Sequence, residues 1–126
     1  MKFQPDQLAG TNVVTRQDAG AIWVGNTRFS HSVLVPWQGQ VLLWAPSQPG
    51  QLTEADFQAL LPLKPELVIF GSGPKLQFVS PALMQSLINQ RIGVETMDTA
   101  AACRTFNVLV AEGRCAVAAL LLAPAA

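Results

Sequence analysis

The segment from Thr96 to Leu122 constrains the fold more than any other, because a helix start, a helix end and a buried strand follow one another within it. Asp98 or Thr99 is predicted to be the N-cap, since either side chain can accept a hydrogen bond from a free N–H of the first turn. Gly113 is predicted to follow the helix end, where a left-handed backbone favours glycine. The apolar run 116–122 is too short to span a membrane and is typical of a strand covered on both faces. The segment therefore predicts a helix that returns into the centre of a sheet.

Within this helix, one set of residues recurs at the spacing of a buried face. Positions i, i+4, i+7 and i+8 are Ala101, Thr105, Val108 and Leu109. This period is the signature of an amphipathic helix, so we expect these side chains to face the sheet.

The residues before position 45 predict strands and turns. Short strands are expected over 12–17, 21–24, 28–35 and 40–44, with turn signals at 18–20, 25–27 and 36–39. Alternation along the third strand places Phe29, His31, Val33 and Val35 on one face. This half of the chain is therefore interpreted as an antiparallel sheet.

The pattern changes after the connector 45–51, which contains two prolines and a glycine. Capping and proline signals predict two helices, over 53–61 and 81–90. Short apolar segments predict two strands, over 67–70 and 93–96. Strands that alternate with helices favour parallel βαβ units with the usual right-handed connection. We expect the two halves to form a single domain over residues 1–126.

Composition favours a protein partner or self-association and argues against nucleic acid. Only 13% of the 126 residues are charged and 50% are hydrophobic, which leaves more apolar area at the surface. The formal net charge is zero and the eight basic residues are scattered singly, whereas phosphate binding needs them clustered. No apolar run is long enough for a transmembrane segment.

The first ten residues, MKFQPDQLAG, show neither a secretory signal nor an arginine-rich transit peptide, so we expect a cytoplasmic protein. Cys103 and Cys115 are then expected to be reduced, free thiols. They do not form a CxxC pair, and the single His31 does not complete a zinc set with them. We predict no metal and no cofactor.

One pocket is predicted at the carboxyl ends of the parallel strands, where open sheets collect ligands. Gly71, Ser72 and Gly73 follow one strand, and Asp98 and Thr99 follow the next. Glycines permit close backbone approach, and free N–H groups at a helix start suit a small anion. The alternative is a purely structural turn, since GSG lacks the spacing of a nucleotide-binding loop.

Arg104 is placed at the edge of this pocket, about one turn beyond Asp98. If Asp98 turns inward as the cap, Arg104 is drawn to it; if Asp98 turns outward, Arg104 is free for a carboxylate or phosphate. Arg104 and Arg114 are equally suited to pair with Asp98 and Glu112 and fix the helix.

A serine hydrolase is not indicated, and no catalytic residue is predicted. Ser72 has glycines one residue away on each side, whereas a nucleophile elbow has them two residues away. His31 and Asp98 would complete a triad with it only if three distant segments converged. His31 is interpreted as a packed or surface residue.

The three tryptophans, Trp23, Trp37 and Trp44, all lie in the first half. They are interpreted as core or rim packing. The functional alternative is an aromatic contact surface for a partner, because tryptophan is over-represented among binding hot spots.

Three landmarks resemble one family. The first is the run 98–109, DTAAACRTFNVL, which is followed by Glu112-Gly-Arg and an alanine-rich strand. The second is the segment 68–73, VIFGSG, and the third is Arg28-Phe-Ser-His-Ser. Together they resemble a family of small domains of unknown function that includes mitochondrial assembly factor 3 of respiratory complex I and bacterial proteins of similar length. The resemblance implies three layers, with a β layer packed against a β/α unit. It implies no settled catalytic activity, and a non-enzymatic role in building a membrane complex for the eukaryotic relative.

Pattern and resemblance together predict an α+β fold, in which an antiparallel β layer packs on a β/α layer containing parallel βαβ units. The expected function is a non-enzymatic interaction or assembly protein, assisting a respiratory membrane complex. The alternative is a small-anion or metabolite-binding protein, or an enzyme, that uses Gly71–Gly73, Asp98, Thr99 and Arg104.

Overall fold

The structure is a computed structural model that describes residues 10–123. The N-terminal segment on which the cytoplasmic expectation rests lies outside that range, except for Gly10. The first three strands, β1 (Val14–Asp18), β2 (Ala21–Val24) and β3 (Thr27–Phe29), form an antiparallel sheet in sequence order. We call it the small sheet.

A second sheet has five strands and mixed direction. Its members are β4 (Val33–Pro36), β5 (Leu42–Leu43), β6 (Leu67–Gly71), β7 (Gly93–Met97) and β8 (Ala116–Leu120). They lie in the order β5-β4-β8-β6-β7, with β6 parallel to both β7 and β8. Every residue of β8 is buried, which confirms the prediction of a central strand covered on both faces.

Three helices within residues 10–123 cover this larger sheet. They are α1 (Glu54–Gln58), α2 (Gln85–Asn89) and α3 (Thr99–Ala111). Turns of 3₁₀ helix occur at Pro49–Gln51, Leu61–Leu63 and Pro81–Met84, so the helix predicted over 81–90 begins with a 3₁₀ turn. Thr53 forms a reciprocal capping box with Asp56 at the start of α1.

The core has two parts, one on each face of the larger sheet. The small sheet and α3 bury side chains such as Ile22 and Phe106 on one face. On the other face α1 and α2 bury a second set that includes Phe57 and Leu87. The fold is therefore α+β with three layers, and the predicted packing of a β layer on a β/α layer is confirmed.

The expected strand over 28–35 is wrong, because the chain leaves one sheet for the other at Ser30–Ser32. Ser32 is buried, and its Oγ accepts a hydrogen bond from the N–H of Leu122 at 2.9 Å, which ties the start of β4 to the end of β8. β4 is buried on both faces, so it needs cover on both sides and joins the larger sheet. His31 is exposed at the crossing. The interpretation of the first half as one antiparallel sheet fails for this reason.

The predicted buried face of α3 is also wrong. Val108 is 56% exposed, whereas the buried residues of the helix are Thr99, Ala102, Cys103, Phe106 and Val110. Both sets have helical spacing, and the large side chain of Phe106 packs into the core between the sheets. Alanines fit either face, so composition did not decide between them.

Candidate functional site

Strand β6 and helix α3 come unusually close where the strand ends. A Cβ on Gly71 would lie 2.9 Å from the Cα of Thr99 and 3.1 Å from the Cβ of Ala102. Glycine at position 71 is therefore required by packing, because a side chain would displace the backbone of α3. The close approach is between two parts of the chain, without space for a ligand.

Ser72 organises the loop that follows. Its hydroxyl donates to the carbonyl of Lys75 at 2.8 Å, and the carbonyl of Met97 is a second acceptor at 3.2 Å. The Oγ also accepts a hydrogen bond from the N–H of Gln77 at 2.9 Å. Its own N–H donates to the carbonyl of Met97. The side chain is buried, so this hydroxyl acts as a structural link in the loop.

Thr99 connects the same loop to the end of β8. Its Oγ1 accepts from the N–H of Gly73 at 2.9 Å and donates to the carbonyl of Leu121 at 2.8 Å. The N–H of Thr99 donates in turn to the carbonyl of Gly73. Gly73 has a φ of +110°. Three segments are thus joined through one buried side chain.

Asp98 is the N-cap of α3, and it turns inward. Its Oδ1 accepts from the N–H of Ala101 at 2.8 Å. The backbone N–H groups of Ser72, Gly73, Thr99 and Ala101 are therefore all engaged in hydrogen bonds. The geometry removes the anion-binding argument at these four N–H groups.

A cavity of about 450 Å³ nevertheless opens beside this network. Gly73, Asp98 and Thr99 line it, whereas Gly71 and Ser72 do not. The other lining residues include Gln17, Asp18, Leu121 and Leu122. Two carboxylates and, among the described residues, no basic side chain line this cavity, which disfavours an anion.

Arg104 lies outside this cavity, in a separate depression of about 250 Å³ that also contains Arg16 and Asn107. Within residues 10–123 the ion pairs are Arg16 with Asp18, at 3.9 Å, and Arg114 with Glu66. The expected pairings of Arg104 with Asp98 and of Arg114 with Glu112 are therefore absent from this part of the chain.

The other candidate side chains have separate structural positions. The hydrogen bonds of Ser72 and Asp98 go to backbone groups, and His31 is exposed, so these three residues form no triad. Within the described part of the chain no cluster of three or more His, Cys, Asp or Glu could hold a metal ion.

Both cysteines are free thiols, as predicted. Cys103 is buried on α3, and burial raises the pKa of its thiol from 9.0 to about 12, against a smaller lowering by Arg104. A thiol with such a pKa is a poor nucleophile near neutral pH.

The tryptophans divide between core and surface. Trp44 packs edge to face on Phe57 and Phe70 and donates its Nε1–H to the carbonyl of Asp56 at 3.0 Å. Trp23 lies on the outer face of the small sheet, where the guanidinium carbons of Arg16 and Arg28 are 4.5 and 5.6 Å from its ring centroid. We call these three side chains the Arg-Trp-Arg stack.

Sequence reasoning missed a groove of about 780 Å³ beside β7, which is larger than the two cavities described above. Phe78 is 76% exposed there and Ile88 is 48% exposed. The apolar residues near Phe78 gave a signal, but only the strand order shows that β7 lies at the edge of the sheet.

The chain matches the sequence profile of a family described as "Protein of unknown function (DUF498/DUF598)" over residues 14–121. It belongs to this family. Two relatives named NADH dehydrogenase [ubiquinone] 1 alpha subcomplex assembly factor 3 are 37% identical in Mus musculus, over 79% of this chain, and 34% identical in Bos taurus, over 83%. The matches span 54% and 57% of those proteins, so the chain spans about half of their length.

Solved bacterial structures share the fold. A Bordetella parapertussis protein is 38% identical with a TM-score of 0.85, covering 90% of this chain and 97% of that one. A Bordetella pertussis protein described as a Mth938-like domain is 31% identical with a TM-score of 0.84, covering 98% of this chain and 94% of that one. Among residues 10–123, no helix has the length and apolar character needed to cross a membrane.

Proposed function

We propose that this protein is a non-enzymatic interaction or assembly factor that assists a respiratory membrane complex. The Arg-Trp-Arg stack carries the proposal. The names of the relatives support it, and so does the engagement of Ser72 and Thr99 in the internal network.

The stack follows directly from strand register. Trp23 lies opposite Arg16 on β1 and opposite Arg28 on β3, so all three side chains share the outer face of the small sheet. Both arginines are exposed. Tryptophan and arginine are the residues most enriched at binding hot spots, and a guanidinium held over an indole remains able to bind a carboxylate. The proposed partner surface is therefore apolar at its centre and acidic around it.

Affinity capture from the source cells tests this proposal. The tagged chain should retain a stoichiometric protein partner, and Trp23→Ala should weaken that complex by about thirtyfold, the effect of losing a hot-spot residue. Val108→Ala, an exposed apolar change on α3, is the control and should leave capture unchanged. A partner held equally by both variants, or a metabolite retained without any protein, would contradict the proposal.

The cavity of about 450 Å³ favours one alternative, a metabolite-binding role at the carboxyl ends of the parallel strands. A chemical-shift titration with small neutral and cationic metabolites should then perturb Gly73, Asp98 and Thr99 first, because the two carboxylates that line the cavity repel anions. Shifts confined to the small sheet would reject this alternative. The free thiols suit a reducing compartment, and the proposal places the protein in the cytoplasm.

A further inference from the structure

Among residues 10–123, strand β7 has a free edge. It is the last strand in the order β5-β4-β8-β6-β7, and within this range it pairs only with β6. Ser72 donates its N–H to the carbonyl of Met97 at 2.8 Å, so Met97 directs its backbone groups toward β6. Alternation along the strand directs the N–H and C=O of Val94 and Thr96 outward. Such a row of outward backbone groups is a template for another strand.

An apolar groove accompanies this edge. The groove of about 780 Å³ is lined by Phe78, Val79, Met84, Ile88, Ile92 and Val94. Phe78 and Ile88 are largely exposed, so an added strand would cover them. Open backbone groups beside apolar pockets are the two elements of recognition by strand addition.

The charges beside the groove indicate which strand fits. Arg91 and Glu95 line the groove and are four residues apart. Neither takes part in an ion pair within residues 10–123. If two copies of β7 run antiparallel about a two-fold axis at Gly93, each Glu95 faces the turn that precedes β7 in the second copy. Arg91 lies in that turn with a φ of +60°, so its long side chain, rather than a strand position, brings the positive charge to Glu95.

Gly93 suits the position on that axis. A facing pair without hydrogen bonds brings the two Cα atoms to about 4.5 Å, where side chains crowd most. Glycine leaves this space open, and even an added Cβ would meet no other atom of its own chain within 4 Å. A register centred on Glu95 would instead oppose two carboxylates, which is unfavourable.

We propose that β7 is a self-association edge, through which two copies of this chain join their larger sheets in an antiparallel dimer. The N–H of Val94 donates to the carbonyl of Ile92 in the second copy, and the symmetric bond forms in return. The N–H of Ile92 already donates to the carbonyl of Leu87 at 2.9 Å, so it adds no hydrogen bond between the two copies. Burial of the two grooves therefore supplies most of the remaining affinity. Glu95 disfavours pairing with an acidic edge, whereas in this dimer the Arg91 side chain of the second copy extends toward it from the turn before β7.

A charge-reversal cycle tests the register. Sedimentation equilibrium of the purified wild-type chain should give a concentration-dependent dimer. Arg91→Glu or Glu95→Arg alone places like charges opposite each other twice per dimer, and each should weaken dimerisation about tenfold. The double variant R91E/E95R restores opposite charges and should recover the wild-type dissociation constant within about threefold. The double variant contains both changes and is the matched control.

A second pair of variants tests the groove without depending on the charges. Phe78→Ser should weaken the dimer at least tenfold, because it removes an exposed side chain that the second copy would cover. Val108→Ser makes a similar change on the exposed side of α3 and should have no effect on association. Circular-dichroism melts establish that each variant is folded.

Three outcomes would overturn the proposal. They are a wild-type chain that stays monomeric up to about 1 mM, where even weak association becomes measurable; a double variant as weak as the single ones; or a Phe78→Ser variant that dimerises as tightly as the wild-type chain. The measurement uses the purified chain alone, so its result is independent of the proposed assembly role.

Discussion

A single hydroxyl group joins three segments of this protein. Thr99 Oγ1 lies between the N–H of Gly73 and the carbonyl of Leu121, and both bonds are buried. Asp98 and Thr99 were alternatives for the N-cap, and the structure gives them separate tasks. Asp98 caps the helix, while Thr99 links the helix to the loop and to the end of β8.

Thr99→Val should therefore lower the free energy of unfolding by about 2 kcal/mol, because an isosteric methyl group leaves a buried donor and a buried acceptor unpaired. Urea denaturation followed by tryptophan fluorescence measures the change. Thr99→Ser keeps the hydroxyl and should cost less than half as much. A larger loss for serine than for valine would show that the methyl contact, rather than the hydroxyl, stabilises this junction.

Cys103 should make stability depend on pH above neutrality. Its folded pKa of about 12 exceeds the unfolded value of 9.0, so the unfolded chain loses this proton first. The free energy of unfolding should be unaffected by this group below pH 9 and should fall between about pH 9 and 12. Cys103→Ala should flatten the profile in that window, and an unchanged slope would count against the burial argument.

Thiol titration gives a simpler check of the same residue. Two free thiols should be found in the unfolded, unreduced protein. In the native state Cys115 should react first, because Cys103 is buried and its pKa is raised. Finding no thiol in the unfolded chain would indicate a disulfide.

Helix α3 shows which local signals survive in the fold. Its end is a Schellman motif: the N–H of Gly113 donates to Val110, the N–H of Arg114 donates to Leu109, and Gly113 has a φ of +84°. The predicted helix end is confirmed. Its buried face was mispredicted, because that face depends on where the sheets lie.

Gly113→Ala should destabilise the protein by about 1 kcal/mol, the conformational cost of a side chain at positive φ. No atom lies within 4 Å of an added Cβ, so steric overlap contributes nothing. Thermal denaturation measures the effect. Gly50→Ala is the control, since it has open space and no positive φ, and a loss as large as that of Gly113→Ala would contradict the conformational argument.

The attachment of the small sheet to the rest of the molecule depends on an amide. Asn107 on α3 accepts from the N–H of Val14 at 2.9 Å and donates to its carbonyl at 2.8 Å, so one side chain pairs with β1 as a neighbouring strand would. The apolar contacts of Val14, Ile22 and Val24 with α3 and the larger sheet complete this layer.

Asn107→Ala should loosen the small sheet more than the larger one. Losing both bonds should lower stability by about 1–3 kcal/mol, since the two backbone groups of Val14 lose their partner. Native-state hydrogen exchange should show faster exchange for β1 and β2, with β6 and β8 less affected. Val108→Ala on the exposed side of the same helix should leave the pattern unchanged, and uniform acceleration in the Asn107 variant would contradict a local role.

Local chemistry in the sequence determined the elements whose signals are self-contained. Helix α3 begins after Asp98 and ends before Gly113, and α1 begins after Thr53. The apolar run after Cys115 forms the central strand. Caps, positive-φ glycines and complete burial each depend on a few neighbouring residues, so the sequence predicts them. A cavity at the carboxyl ends of β6 and β7 contains Gly73, Asp98 and Thr99, and its use as a binding site stays a prediction.

Only the tertiary structure decided the pairings between distant segments. It placed β4 in a different sheet from β3, buried Gly71 and Ser72 outside the lining of the cavity, and placed Arg104 in another depression. Sequence spacing could not show these results, because each depends on which backbone groups find partners more than 20 residues away. The same long-range order put β7 at the edge of the sheet, since parallel pairing with β6 satisfies one side of a strand and leaves the other open.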